Sequence, residues 1–257
     1  MIKFLTQHQF ETIWVLAKTD IKLRYQGSVL GVLWVFLKPL GIFLVLNFVF
    51  STYFSNTPNY PIRLLTGIIL WSLFSDATTK GMASLVTKSH ILKKIALPKW
   101  EIVLSAVLHS GIVFFFNLII LFIFLFFFYH IFPNPANILM FLFFVLQIYL
   151  ISLAFSFFTA SVFVRLRDLD QIWELVIQIL FYATPIIYPI EILPENIRKF
   201  IYLNPMTYII QRARSVLIDQ HIGRINNDII FMVLLIVALI VGILFLKNNS
   251  KFLVEKM

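Results

Sequence analysis

The chain has 257 residues, 60% of them hydrophobic and 13% charged, against about 25% charged in ordinary soluble domains. Too little polar surface is available to coat an oversized soluble core, and long continuous apolar runs rather than short alternating ones exclude a β-barrel. The net charge of +9 does not imply nucleic acid, because in a membrane protein the distribution of Lys and Arg matters more than their sum, and the absence of cysteine removes disulfides and thiolate metal sites.

The start, MIKFLTQHQFETIW, lacks a short apolar core followed by a small-residue cleavage site, so it reads as a retained segment. Phe10, Ile13, Trp14, Ala17 and Ile21 then fall at helical spacing, with Glu11, Lys18 and Lys22 elsewhere. This pattern predicts an amphipathic helix over 8–24 lying in the membrane interface. From Arg24 the strip RYQGSVLGVLWVFLKPL leads into an apolar run. The predicted fold class is all-α integral membrane, a single transmembrane domain over 1–257. Six spans are expected at 33–54, 64–86, 102–129, 136–163, 172–189 and 229–246. HIFPNPAN between the third and fourth is a tight turn whose prolines end one helix and begin the next. The segment 190–228 is too polar to span and too apolar for a free loop. Pro189, Pro194 and Pro205 divide it, and short outer-leaflet helices are expected over 190–215. Broken helices at membrane depth are tolerated when buried in protein or lining a cavity, so the segment points either to a substrate route or to an interfacial cap.

The loops orient the chain. Lys3, Lys18, Lys22, Arg24, Lys88, Lys93, Lys94, Lys99, Arg165, Arg167, Lys247, Lys251 and Lys256 would share one side, and Arg63, Arg198, Lys199, Arg212, Arg214 and Arg224 the other. The Lys/Arg rule makes both termini cytoplasmic.

Few residues invite a chemical role. Asp76 and Lys80 stand one helical turn apart within the second span, which predicts an intramembrane ion pair serving either packing or substrate contact. His109 has no second ligand at metal spacing. In SHILKKIALPKW, Ile91, Leu92 and Ile95 form one face beside Lys93, Lys94 and Lys99, ending at Pro98. This helix suits either a partner's groove or an anionic lipid surface. Asp168 and Asp170 beside Arg165 and Arg167 permit local pairing or docking to another protein. Aromatics gather towards the outer ends: Tyr53, Phe54, Tyr60, Trp71, Phe74, Phe181, Tyr182, Tyr188, Tyr202 and Tyr208. They read as an interfacial belt or as flat faces along a sugar route. No catalytic residue, metal site or glycine-rich phosphate loop is read from the sequence, so active transport would need another chain or an ion gradient.

Taken in order, several strips resemble one family. Arg24-Tyr25-Gln26-Gly27-Ser28-Val29-Leu30-Gly31-Val32-Leu33-Trp34 with Lys38-Pro39-Leu40 is similar to the first-span entry of polysaccharide-export ABC transporter permeases. These are the membrane subunits that serve O-antigen, capsule and teichoic acid. Leu65-Thr66-Gly67, the Leu92–Pro98 loop, Arg165-Leu166-Arg167-Asp168, Ala183-Thr184-Pro185-Ile186-Ile187-Tyr188-Pro189 and Leu203-Asn204-Pro205 continue the resemblance. Leu166 replaces a common aromatic, and Lys38 places a charge where a neutral or acidic group is more usual.

The resemblance implies the permease subunit of an ATP-driven exporter of lipid-linked polysaccharide, most readily O-antigen, in the bacterial inner membrane. Export of teichoic acid, capsule, a drug or a lipid, and a non-transporting scaffold, are the alternatives. It implies a second copy of the chain, two nucleotide-binding ATPase subunits holding ATP and Mg, an undecaprenyl-diphosphate-linked glycan and membrane lipid as partners, with no cofactor on this chain. Lys22, Arg24, Tyr25, Gly31, Trp34, Lys38 and Pro39 would form the gate and first-span entry, Gly31 permitting close approach and the basic residues guiding phosphate. Ile91, Leu92, Lys93, Lys94, Ile95, Pro98, Arg165, Arg167 and Asp168 would couple to the ATPase. Tyr53, Phe54, Trp71, Phe74, Phe181, Tyr182 and Tyr188 are the candidate conduit aromatics.

Overall fold

The computed structural model describes residues 7–94 and 97–255, with the side chains of 7, 8, 21, 24, 25 and 250–255 left aside. Among the described residues there is no strand. The helices run α1 (Gln7–Tyr25), α2 (Trp34–Phe50), α3 (Tyr60–Thr87), α4 (Ser89–Lys94), α5 (Lys99–Ile123), α6 (Pro135–Phe163), α7 (Leu169–Ala183), α8 (Glu195–Ile201), α9 (Pro205–Leu217) and α10 (Asn226–Glu255).

Among the described residues, four stretches are both long and apolar enough to cross a membrane: Gly31–Phe50, Lys99–Phe128, Pro135–Phe163 and Asn226–Asn249. The chain is therefore a multi-pass membrane protein. The two other expected spans differ from these in kind. α3 has 28 residues, about 42 Å of helix, but its polar and charged residues lower its hydropathy. α7 has 15 residues, about 22 Å against a hydrocarbon core of about 30 Å. The expected span 172–189 overreaches because the helix stops at Ala183, ahead of Pro185 and Pro189. The first span likewise ends at Phe50 rather than at residue 54, and Ser51–Asn59 is a run of turns.

α3 is the axis of the bundle and touches α2, α5, α6, α7 and α9. Leu64, Leu65, Ile69 and Leu70 are fully enclosed, and they join Phe141 and Phe144 of α6 and Leu121 of α5 in one core. Hydroxyls inside α3 return to their own helix: Thr66 donates to the Ile62 carbonyl and Thr78 to the Phe74 carbonyl, each at 2.8 Å. That back-bonding lets polar residues sit in a buried helix without orphaned donors. Glycines permit the tightest crossings, since a Cβ at Gly81 would collide with Ser156 of α6 and one at Gly111 with Tyr149.

α1 lies against α5. Of its predicted apolar stripe, Ile13 and Ala17 are buried at 2% and 0% exposure, while Phe10 remains 63% exposed; Trp14 also faces outward, and the side chain of Ile21 lies outside the described residues. The stripe therefore splits between protein and surroundings, as suits an interface helix touching both. Gly27 and Gly31, at φ 79° and 48°, turn the chain from α1 into α2. These left-handed angles favour glycine. Within the chain a Cβ at Gly31 would meet nothing within 4 Å.

The lateral cavity and the Asp228 network

α2, α3, α5 and α7 enclose a cavity of 810 Å³. Its wall brings together Trp34, Lys38 and Pro39 from the first-span entry, Trp71 and Asp76 from α3, and Phe181 and Tyr182 from α7. These residues were singled out along the chain for separate reasons, and the bundle gathers them at one place. Ser72, Ser75, Ser110, Asn117 and Gln178 add polar groups to an otherwise apolar wall. Pro39 has no N–H, so the Val35 carbonyl one turn back loses its helical donor, and both residues line the cavity.

The ring faces are locked by their neighbours. Trp71 meets Phe74 at 5.5 Å between centroids and Phe181 at 6.0 Å. Phe74 packs edge-on to Trp173, whose indole N–H donates to Thr78 at 3.2 Å. Tyr182, by contrast, is 67% exposed. α7 contributes no fully buried side chain, and Ile172, Leu175 and Ile179 are exposed with Tyr182. Asp76 and Lys80 form the expected pair at 2.9 Å, on the wall of this cavity at Asp76.

Other predicted site residues lie elsewhere. Tyr53 is 80% exposed in the turns after α2, and Phe54 stacks with Phe50 and meets Tyr60. Tyr188 donates to the Tyr182 carbonyl at 3.3 Å and lines a second, 410 Å³ cavity with Arg63, Gln211, Arg214 and Asp219. Lys22 is exposed on α1. The side chains of Arg24 and Tyr25, and the whole of Ile95, lie outside the described residues. Ile91, Leu92, Lys93 and Lys94 form the short α4, with both lysines exposed, and Pro98 caps α5. Arg165 donates to Asn249 at 3.2 Å, Arg167 lies over the Phe163 ring at 5.5 Å, and Asp168 precedes α7.

Beyond α7 the chain is irregular from Thr184 to Pro189, and side chains from distant elements take its polar groups. Arg214 donates to the Pro185 and Ile186 carbonyls at 2.7 and 2.9 Å, and to the Arg63 carbonyl at 2.9 Å. Tyr60 donates to the Ile187 carbonyl and Asn204 to the Thr184 hydroxyl, each at 2.8 Å. Irregular backbone withdrawn from water requires such internal partners. Arg214 is 4% exposed, so its guanidinium meets these carbonyls in place of water. Arg63 itself pairs with Asp219.

A second network joins α6, α9 and α10 at one end of the bundle. Asp228, fully buried at the start of α10, accepts from Arg212 at 2.6 and 3.0 Å and from the Tyr208 hydroxyl. Gln147 of α6 donates to the Asp228 carbonyl at 3.0 Å, and Arg212 lies over the Phe144 ring at 5.6 Å. α6, α9 and α10 are thereby tied through one residue, Asp228, the carboxylate holding α9 and the backbone carbonyl holding α6. The sequence does not reveal the Arg212–Asp228 pair or the Arg214 contacts with distant carbonyls; the signal is two arginines in a segment too apolar to be a loop.

The fold is that of a multi-pass helical membrane protein with a laterally walled, part-polar cavity. Residues 11–218 match the ABC-2 type transporter family, and the chain belongs to it. Two O-antigen export system permease proteins RfbA of Klebsiella pneumoniae are similar. One is 29% identical, covering 89% of this chain and 87% of the relative, and the other is 28% identical, covering 98% and 97%. A Myxococcus xanthus protein of the same description is 26% identical over 80% of each chain.

Proposed function

We propose that this chain is the membrane subunit of an ATP-driven exporter that carries lipid-linked polysaccharide of the O-antigen type across the bacterial inner membrane. The observation that carries the reading is the cavity between α2 and α7, where Trp34, Trp71, Phe181 and Tyr182 supply flat faces and Lys38 supplies a cation. Aromatic faces let a sugar chain slide, because stacking tolerates displacement that a fixed hydrogen-bond cage would resist. A cation at the first-span entry suits the diphosphate of an undecaprenyl carrier. Similarity to the RfbA permeases along nearly the whole chain supports the same cargo.

In this reading α3 and α7 complete six crossings, α3 being shielded by its neighbours and α7 reaching full depth with the irregular Thr184–Pro189 segment. Both termini are cytoplasmic, as the Lys and Arg distribution supports. Two copies enclose the route, with the exposed face of α7 turned towards the partner copy. Two ATPase subunits dock at α4 and at Arg165–Asp168, where ATP and Mg are held outside this chain. α8 and α9 lie in the outer leaflet at the exit.

The test is replacement of the permease in a strain lacking its own O-antigen exporter, with the cognate ATPase coexpressed. Surface glycan should return and cytoplasmic lipid-linked glycan should fall. A complex that assembles and hydrolyses ATP but leaves the glycan inside would overturn the cargo assignment.

A further inference from the structure

Lys88 occupies the junction of three elements. Its backbone ends α3, its N–H donating to the Ser84 carbonyl at 3.1 Å. Its carbonyl accepts from the N–H groups of Ile91 and Leu92 at 3.0 and 3.1 Å and so starts α4. Its ammonium leaves both helices and reaches Asp20 of α1 at 2.6 Å, with the Ser105 hydroxyl of α5 at 3.1 Å. The side chain is 9% exposed and that of Asp20 27%. An ion pair withdrawn from water to this degree holds its geometry better than a surface pair, and removing one partner strands the other charge.

We infer that Lys88 and Asp20 are positioning residues that carry movement of α4 to the interface helix α1. The inference rests on the reading of α4 as the contact with the ATPase. The backbone of Lys88 cannot shift with α4 without drawing its ammonium, and through it Asp20, in the same direction. α1 also meets the bundle through Ile13 and Ala17, which are buried where it packs on α5. Apolar contacts of this kind resist separation but tolerate sliding. The ion pair adds a directional tie from α4 to α1, and the short turn through Gly27 and Gly31 passes the displacement of α1 to Trp34 and Lys38 on the cavity wall.

Asp20→Asn and Lys88→Met, each assembled with the ATPase subunits, should lower glycan export about tenfold while ATP hydrolysis stays within about twofold. The exchanged pair Asp20→Lys/Lys88→Asp should recover most of the export. Normal export by the single variants, or an exchanged pair no better than either, overturns the inference. Loss of ATPase docking in the unsubstituted chain would instead overturn the function reading. Should the substitutions prevent assembly, spin labels at Lys18→Cys and His90→Cys, both exposed and introduced into a chain without native cysteine, decide the question with the native pair in place. Their separation should stay constant when ATP is added; a nucleotide-dependent change would show that α1 is not carried with α4.

Discussion

Arg214 of α9 packs directly over Gly67 of α3, and its guanidinium occupies the space that a side chain at Gly67 would need. The absent Cβ is what allows a charged group from α9 to reach past α3 to the carbonyls of Pro185 and Ile186. Gly67→Ala should therefore destabilise the protein by about 1–3 kcal/mol through overpacking. Arg214→Met should cost a similar amount by leaving carbonyls unpaired. Because both act on one contact, the double variant should be less destabilised than the sum, as measured by thermal unfolding in detergent.

Asp228 offers a sharper test of the network joining α6, α9 and α10. Its carboxylate is buried and shared by Arg212 and Tyr208. Asp228→Ala should lower stability by about 3–5 kcal/mol, because it strands a half-buried guanidinium. Tyr208→Phe removes one neutral donor and should cost about 0.5–1.5 kcal/mol. Equal effects of the two would mean that the ion pair is not the dominant tie.

Placement distinguishes aromatics that composition treats alike. Tyr182 lines the lateral cavity, and Tyr53 lies in the exposed turns after α2. Tyr182→Ala should reduce glycan export several-fold, in line with about 0.5–1.5 kcal/mol for one aromatic contact, with little change in unfolding temperature. Tyr53→Ala should leave export unchanged. The comparison is made on surface glycan in matched expression levels.

Lys38 should act through charge rather than size. Lys38→Gln keeps much of the side-chain length on the cavity wall but removes the cation. Export should fall while assembly with the ATPase is retained, and Lys38→Arg should preserve most of it. A glutamine variant that exports normally would remove Lys38 from the route of the diphosphate.

Topology is open to direct labelling, since the chain has no cysteine. A single cysteine at exposed His130, between α5 and α6, should react with an impermeant maleimide from outside. One at exposed His90, on α4, should react only after the membrane is opened. The reverse pattern would invert the assigned orientation.

What the sequence determined by itself was the solvent and the sorting of segments. Long apolar runs have few physical alternatives to membrane helices, and each of the four strongest appears with an offset of a few residues. Asp76 and Lys80 were also legible, because their spacing alone sets them one turn apart. Motif order was enough to point to the family. Local spacing says nothing, however, about which distant groups meet. Only the tertiary structure decided that α3, although polar for a span, is the buried axis, since its polarity is satisfied by back-bonds and neighbouring helices. Only packing showed that Trp34, Lys38, Trp71 and Tyr182 share a cavity while Tyr53 stands apart. Gly31 and Gly67 are the same residue type in quoted motifs, yet one supplies a left-handed turn and the other makes room for Arg214. The physical reason is that backbone angle and side-chain clearance are set by what folds against a residue, and those partners lie up to hundreds of ångströms of extended chain away.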